Sequence, residues 1–445
     1  MTDPAPNQFA LLKTRRFLPL FLVQFLGAFN DQVYQKAFVA LITYRLADQV
    51  GIPIAQLGVI ASGLFILPFA VITPTAGQIA DRMDKAKMMR IVKAWEIVVM
   101  SLAVVGFYTQ NIVFLYFVLF LMGAQSAMFA PIKYSVLPQY LSRAELMGGN
   151  GLVQGFTFLA IIFGTIIGNE LILTDGGVLI VSCFVITVAV AGFLSSLYAM
   201  PAPPVVQSGP VDWVFPRAIW KLFKMCRQTP PAWRAILAIS WFWFVGATFL
   251  SLLPAYAKEE LGVDEGVLTV LLAGFSIGVA LGAIASEALS RGEVGVTVPP
   301  IGALGLAIMA VELWFATPLA PMEGAALLDR AAFFADWTGW RILIDFVILA
   351  AFAGMYVTPM NAVLQAESPD ETRASYIACS NVVDASMMVV SAMVVAVLIA
   401  LGIPVTEVLV VVTLSGLPMA FLVARYAPGT RLGRAALAVW PRGPV

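Results

Sequence analysis

Histidine is missing from all 445 residues. Its absence excludes a histidine proton relay, a haem held by imidazole, a zinc site that needs imidazole and a membrane acyltransferase with a catalytic histidine. Cysteine is nearly missing too. Cys183, Cys226 and Cys379 stand too far apart for a disulfide framework or a thiolate metal cluster. Charged residues make up only 12%, where a soluble globular chain carries about a quarter. The 26 basic and 26 acidic residues balance, which leaves no footprint for nucleic acid. There is no nucleophile motif and no soluble catalytic domain, so neither enzyme activity nor a metal or cofactor is expected.

Apolar residues fill the space instead: 60% of the chain, with a mean hydropathy of +0.91. A bilayer-spanning helix needs roughly 20 apolar residues, so a dozen take about 240. Twelve segments can be read, at about 17–46, 55–80, 88–108, 111–140, 146–173, 177–199, 233–256, 266–290, 298–318, 341–366, 375–401 and 405–426. The expectation is an all-α membrane protein with twelve transmembrane helices in two six-helix bundles. One bundle covers 1–199, a linker 200–232, and the other 233–445 with a short tail. Proline blocks a continuous helix through the linker, while Trp213, Trp220 and the basic residues suit an amphipathic surface segment. The first segment lacks a small-residue cleavage site and is too long for a signal-peptide core, so it is expected to be retained.

Charge sets the orientation. With the N-terminus in the cytoplasm, 20 Lys/Arg fall on that side, including Lys13, Arg15, Arg16, the run Arg82–Lys93, the linker and the tail. Only Arg45, Lys258, Arg330 and Arg341 fall opposite, as the positive-inside rule requires. Both termini are expected in the cytoplasm, and the loop 319–340 outside with a short interfacial helix.

The two halves share traces of a repeat. APIKY (130–134) followed by NGLVQG (150–155) corresponds to TPMNA (358–362) followed by NVVDA (381–385). That pairs Pro131 with Pro359, Lys133 with Asn361 and, roughly and after a short insertion, Gln154 with Asp384. GQIAD (77–81) likewise corresponds to GAIAS (282–286).

Ionisable groups inside a membrane are costly and are candidates for function. Asp31 lies roughly 21 Å into the first span at helical rise, and Gln24, Asp31, Tyr34 and Gln35 share a face with Asn30 beside it. Such a stripe must face a cavity or another helix. It suits either a substrate contact or a hydrogen-bonded acid between helices. Lys133 follows Pro131 near the cytoplasmic end of the fourth span, where a lysine can also snorkel. Lys36 has the same two readings, and Asp384 lies too deep to snorkel. Glu96, Glu312 and Asp345 are nearer the expected span ends. If Asp31, Lys36, Lys133 and Asp384 face the centre, the cavity is zwitterionic and suits a head group with a phosphate and an amine. Glycines repeat every four positions in the fifth span (Gly151, Gly155; Gly164, Gly168) and the eighth (Gly274, Gly278, Gly282), which permits close helix approach.

The loop with Gly77, Asp81, Arg82, Lys85 and Lys87 resembles the glycine–acid–base loop of the major facilitator superfamily, with Asp84 in place of its second glycine. An acid there can sit at a neighbouring helix N-terminus while the basic residues pair with acids of adjoining helices. Such a charged latch can hold the two bundles closed on the cytoplasmic side; the basic residues by themselves also suit an ordinary positive-inside loop. With QFLGAFND (24–31), FAPIKYSVLPQ (129–139) and NGLVQGFTFLAIIFGTIIG (150–168), the chain resembles the bacterial lysophospholipid transporter family, and the transporter half of fusions to a lipid acyltransferase. The resemblance implies lysophospholipid movement from the outer to the inner leaflet of the bacterial inner membrane, with re-acylation by an acyltransferase partner. It places Asp31 and Lys133 on the family's polar positions and implies that the fifth and eighth spans meet at a seam between bundles. The expected protein is a monomer. Expected substrate-binding residues are Gln24, Asn30, Asp31, Lys36, Lys133, Gln154, Asn361 and Asp384. A departure is GATFLSLLP (246–254), which lacks the arginine expected in the seventh span. The alternatives are a proton-coupled exporter of drugs or small amphiphiles on the same fold, and a scaffold that docks an acyltransferase through the linker.

Overall fold

The computed structural model describes residues 8–46, 54–205, 210–290, 293–317 and 327–424. The expected C-terminal tail, and 319–326 of the loop placed outside, lie beyond the described residues. Among the described residues the elements are helices, with one isolated bridge between Val263 and Leu328. A 3-10 turn at Gln8–Lys13 leads into α1 (Leu18–Tyr44), α2 (Ile54–Val71), α3 (Thr73–Arg82), α4 (Lys85–Thr109), α5 (Ile112–Ser135), α6 (Leu137–Tyr140), α7 (Leu146–Leu173) and α8 (Gly177–Leu197). Then follow α9 (Phe215–Arg227), α10 (Pro230–Ala255), α11 (Glu265–Ser290), α12 (Pro299–Ala316), α13 (Arg330–Phe333), α14 (Trp337–Glu367), α15 (Arg373–Ala400), α16 (Val405–Leu414) and α17 (Gly416–Ala424).

Among the described residues, ten helical stretches are long and apolar enough to cross a membrane. They are α4, α5, α7, α8, α10 with its extension to Glu260, α11, α12, α14, α15, and α16 with α17. An eleventh is bent by 45° where α2 meets α3, beside a proline in the first turn of α3. Helix α1 has 27 residues, or about 40 Å, ample to span. Its polar residues dilute its hydropathy, yet Gln24, Asn30, Asp31 and Gln35 are all buried, so the stripe packs inside the bundle.

Local chemistry sets the boundaries. Asp84 caps α4 by accepting from the Lys87 N–H at 2.9 Å, and Asn111 caps α5 through the Phe114 N–H at 3.0 Å. Pro131 and Pro359 both sit buried inside helices, in α5 and α14. Outward-facing rows such as Val98 and Val105 of α4, Ile308 and Phe315 of α12, and Val389 and Val397 of α15 are exposed. Against acyl chains this exposure costs nothing.

One apolar cluster runs through α10 to α17, and two others lie mainly among α1 to α8. Helix α3 packs on α15 and α7 packs on α11, which joins chain before the linker to chain after it. Cys226 and Cys379, isolated in sequence, come together across α9 and α15, both buried and free.

Candidate functional site

On the side that carries the linker, Asp81 ends α3 and faces the first turn of α15. It accepts from the Ala374 N–H at 2.8 Å, the Ser375 N–H at 3.0 Å and the Ser375 hydroxyl at 2.5 Å. Two otherwise unpaired N–H groups of a helix start are satisfied, and the helix dipole favours the carboxylate there. Gly77 permits the approach: a Cβ would stand 2.9 Å from the Ala374 carbonyl oxygen and 3.2 Å from Ser375 Cα.

The basic residues nearby make contacts the sequence did not suggest. Arg82 donates to the backbone carbonyls of Gln78 at 2.6 Å and Pro210 at 3.4 Å. Lys85 is buried within electrostatic reach of Asp81 and Asp84, while the Lys87 side chain is exposed. Asp84, a departure from the superfamily loop, has a reason to be acidic. Besides capping α4 it accepts from the Ala202 N–H at 2.9 Å, and the Lys85 N–H returns a bond to the Ala202 carbonyl at 3.0 Å. A glycine could not anchor the linker in this way.

Two more ties cross the same side. Asn150 of α7 and Gln365 of α14 exchange side-chain hydrogen bonds of 3.0 and 2.7 Å. Gln8 donates to the Ile284 carbonyl at 3.1 Å. At the start of α7, Glu145 pairs with Arg16 and accepts from the Ser142 N–H at 3.0 Å and hydroxyl at 2.8 Å. Burial alone would raise the Glu145 carboxyl, but these donors outweigh it and hold it below the usual carboxylate range.

In the interior, Asp31 accepts from the Ser126 hydroxyl at 2.5 Å and so bridges α1 and α5. Asn30 donates to Glu96 at 3.0 Å, Gln125 donates to Glu96 at 3.0 Å, and Lys93 pairs with Glu96 at 2.6 Å. Lys93, counted above with the cytoplasmic run, is 1% exposed. It lies two turns inside α4, where an oppositely charged residue one turn on neutralises it. Removing it from the twenty leaves nineteen against four, and the asymmetry stands. Glu96, placed near a span end, is the centre of this network. Gly27 makes room for it, since a Cβ there would collide with the Lys93 ammonium. Gln24 is spent on α7, donating to the Val153 carbonyl at 3.1 Å and to Thr157.

Lys133 is half-buried, 4.8 Å from the Tyr134 ring and within electrostatic reach of Asp31. Lys36 is half-buried on α1. Asp384 of α15 accepts from Ser240 of α10 at 2.6 Å and weakly from Ser380 at 3.4 Å. Asn361 donates to its own helix, at the Val357 carbonyl. Tyr134, passed over in the sequence, donates to Gln154 at 2.6 Å and lies within electrostatic reach of Asp384. Gln154 is thus tied to Tyr134 directly, while Asp384 is bonded to Ser240 and Ser380.

The family model "Major Facilitator Superfamily" matches residues 20–392. The chain belongs to that superfamily. It is 27% identical over 372 residues to the lysophospholipid transporter LplT of Serratia proteamaculans, covering 82% of this chain and 83% of that one. The corresponding protein of Yersinia enterocolitica is 27% identical over 407 residues, covering 88% and 90%. The fold also superposes on the human organic anion transporter MFSD10 (TM-score 0.71, 12% identity, 92% of this chain and 99% of that one). The Escherichia coli fucose:proton symporter FucP gives a TM-score of 0.68 at 15% identity, covering 92% and 98%.

Within this superfamily fold the glycines divide differently from the expected seam. Gly151 and Gly155 of α7 do face α11, where a Cβ would lie 2.8 Å from the Ala283 carbonyl oxygen and 3.1 Å from that of Ala280. Gly164 faces α1 instead, with a Cβ 2.7 Å from the Phe29 carbonyl oxygen, and Gly168 meets Val33. Gly274, Gly278 and Gly282 pack on Leu343, Val347 and Ala351 of α14. Helix α11 meets α7 through alanines, because its glycine face is used by α14.

Proposed function

We propose that this transporter moves lysophospholipids, such as lysophosphatidylethanolamine, from the outer to the inner leaflet of the bacterial inner membrane for re-acylation. The observation that carries the reading is the similarity to LplT proteins over more than four-fifths of both chains. An acid and a lysine in mutual reach, Asp31 and Lys133, suit it chemically, because a lysophosphatidylethanolamine head group carries an amine and a phosphate. Gln154, Asp384 and Tyr134 add polar contacts, with Asn30 and Gln24 holding α1 in place and Lys36 and Asn361 at the margin.

In this reading a monomer works by alternating access with lateral lipid entry. Bundles over 1–199 and 233–445 rock about the linker 200–232. The side rich in basic residues faces the cytoplasm with both termini, and Gly77, Asp81, Arg82, Lys85 and Lys87 form its latch. The single acyl chain stays in lipid or along the α7–α11 seam. A lipid acyltransferase consumes the product.

Purified protein in liposomes, with and without an imposed proton gradient and with a cationic drug as competitor, separates this from drug export. Lysophosphatidylethanolamine movement that is indifferent to the drug supports the proposal. Gradient-driven drug transport without lysolipid movement refutes it.

A further inference from the structure

The segment between α8 and α10 is fastened at both ends and in the middle. Ala202 is held by Asp84 and Lys85, and the Tyr140 hydroxyl donates to the Met200 carbonyl. The Asp212 N–H donates to Gln78 of α3 at 3.0 Å, and the Thr75 hydroxyl reaches the Asp212 carbonyl at 3.5 Å. Helix α9 then buries Ala218, Leu222 and Cys226 on one face, with the Cys226 thiol against Cys379 of α15. Just after it, Thr229 shares a 2.6 Å hydrogen bond with Tyr376 of α15. The segment is therefore a strap across α3 and α15, the two helices that Asp81 joins.

The other face of the strap has a different chemistry. Arg217, Trp220, Lys221 and Lys224 follow at helical spacings of three, one and three, which puts them on one side. All four are exposed, as is Trp213 just before the helix, and the two indoles are 71% and 74% exposed. Helix α9 contains no acid; Lys221, at the edge of this face, pairs with Asp212 at 2.6 Å and lines a cleft that Glu371 also lines, which leaves Arg217 and Lys224 as the basic residues clear of it. Tryptophan and basic residues together have their preferred surroundings among lipid head groups, where the ring meets the acyl boundary and the cation meets phosphate. A cleft of about 220 Å³ opens between α9 and the ends of α3 and α15, lined by Lys221 and Leu222 with Arg82, Glu371 and Thr372. The strap is thus not locked down by packing alone.

We propose that this face of α9 rests on anionic phospholipid head groups at the membrane surface, and that the contact holds α3 against α15. Anionic lipid then stabilises the closed linker side, whatever the transported substrate.

The test uses the full chain in nanodiscs of phosphatidylcholine, with or without phosphatidylglycerol. Amide hydrogen exchange is followed over 73–82, 215–227 and 373–380. Phosphatidylglycerol should slow exchange in all three segments, by about fivefold for each basic residue engaged. The variant Arg217→Gln/Lys224→Gln should lose the difference while matching wild type in phosphatidylcholine, since both side chains are on the exposed face. Trp220→Ala should reduce it. Equal exchange in the two lipids overturns the proposal, as does a double variant that responds like wild type. Protection that appears only on adding an acyltransferase also overturns it and gives the face to a protein partner. Transport is not the readout, so a wrong substrate would leave this result standing.

Discussion

Asp81 and Ser375 are joined twice across 294 residues of chain, through the serine N–H at 3.0 Å and its hydroxyl at 2.5 Å. With the Ala374 N–H as a third donor, one carboxylate fastens α3 to α15. A hydrogen bond to a charged group contributes about 1.5–3 kcal/mol. Asp81→Ala is therefore expected to raise the population open on the linker side at least about tenfold. Spin labels at positions 87 and 371, followed by pulsed distance measurement, check this.

The buried Lys93–Glu96 pair makes a prediction about stability. Lys93→Met leaves Glu96 charged among Asn30 and Gln125 with no cation, which costs about 3–5 kcal/mol. The double variant Lys93→Met/Glu96→Leu removes both charges and should recover most of that loss. Thermal unfolding in detergent of the wild type and the two variants gives the comparison.

At the α7–α11 seam, Gly151→Leu puts a side chain where even a Cβ is 2.8 Å from the Ala283 carbonyl oxygen. The expected cost of overpacking is about 1–3 kcal/mol, acting against closure of the linker side. Gly246→Ala is the control, because a Cβ there meets nothing within 4 Å. The same spin-label distances should respond to the first substitution and not to the second.

Glu145 sets a pH dependence. Its native carboxyl lies below the ordinary value of 4.5, so its contribution is complete above that value. Stability from this group is lost as pH falls through the lowered native value, because the unfolded chain takes up the proton first. Exchange of the amides at Ser142–Glu145 should accelerate in that acid range in the wild type. In Glu145→Gln the acceleration should be gone.

The seat of Asp81 at a helix start could be read from its sequence because the chemistry is local: an acid ending one helix needs only a helix start to bind. Lys93 could not, since hydropathy averages over a window and does not see that Glu96 one turn on neutralises it. The glycine spacings revealed close approach but not the neighbour; Gly278 and Gly155 have the same pattern and different partners. Tyr134 and the Asn150–Gln365 pair offered only a polar residue in an apolar span. Their partners lie on other helices, at distances in sequence that no local pattern encodes. The strap, by contrast, was legible as an amphipathic segment, though its fastening to α3 was not.

The central claim concerns lysophospholipid movement past Asp31. Labelled lysophosphatidylethanolamine in proteoliposomes, with the fraction in each leaflet followed over time, tests it directly. The account predicts movement well above empty liposomes for the wild type, and a rate near that background for Asp31→Ala with its fold intact. Background movement in the wild type, or equal rates in the two proteins, would contradict it.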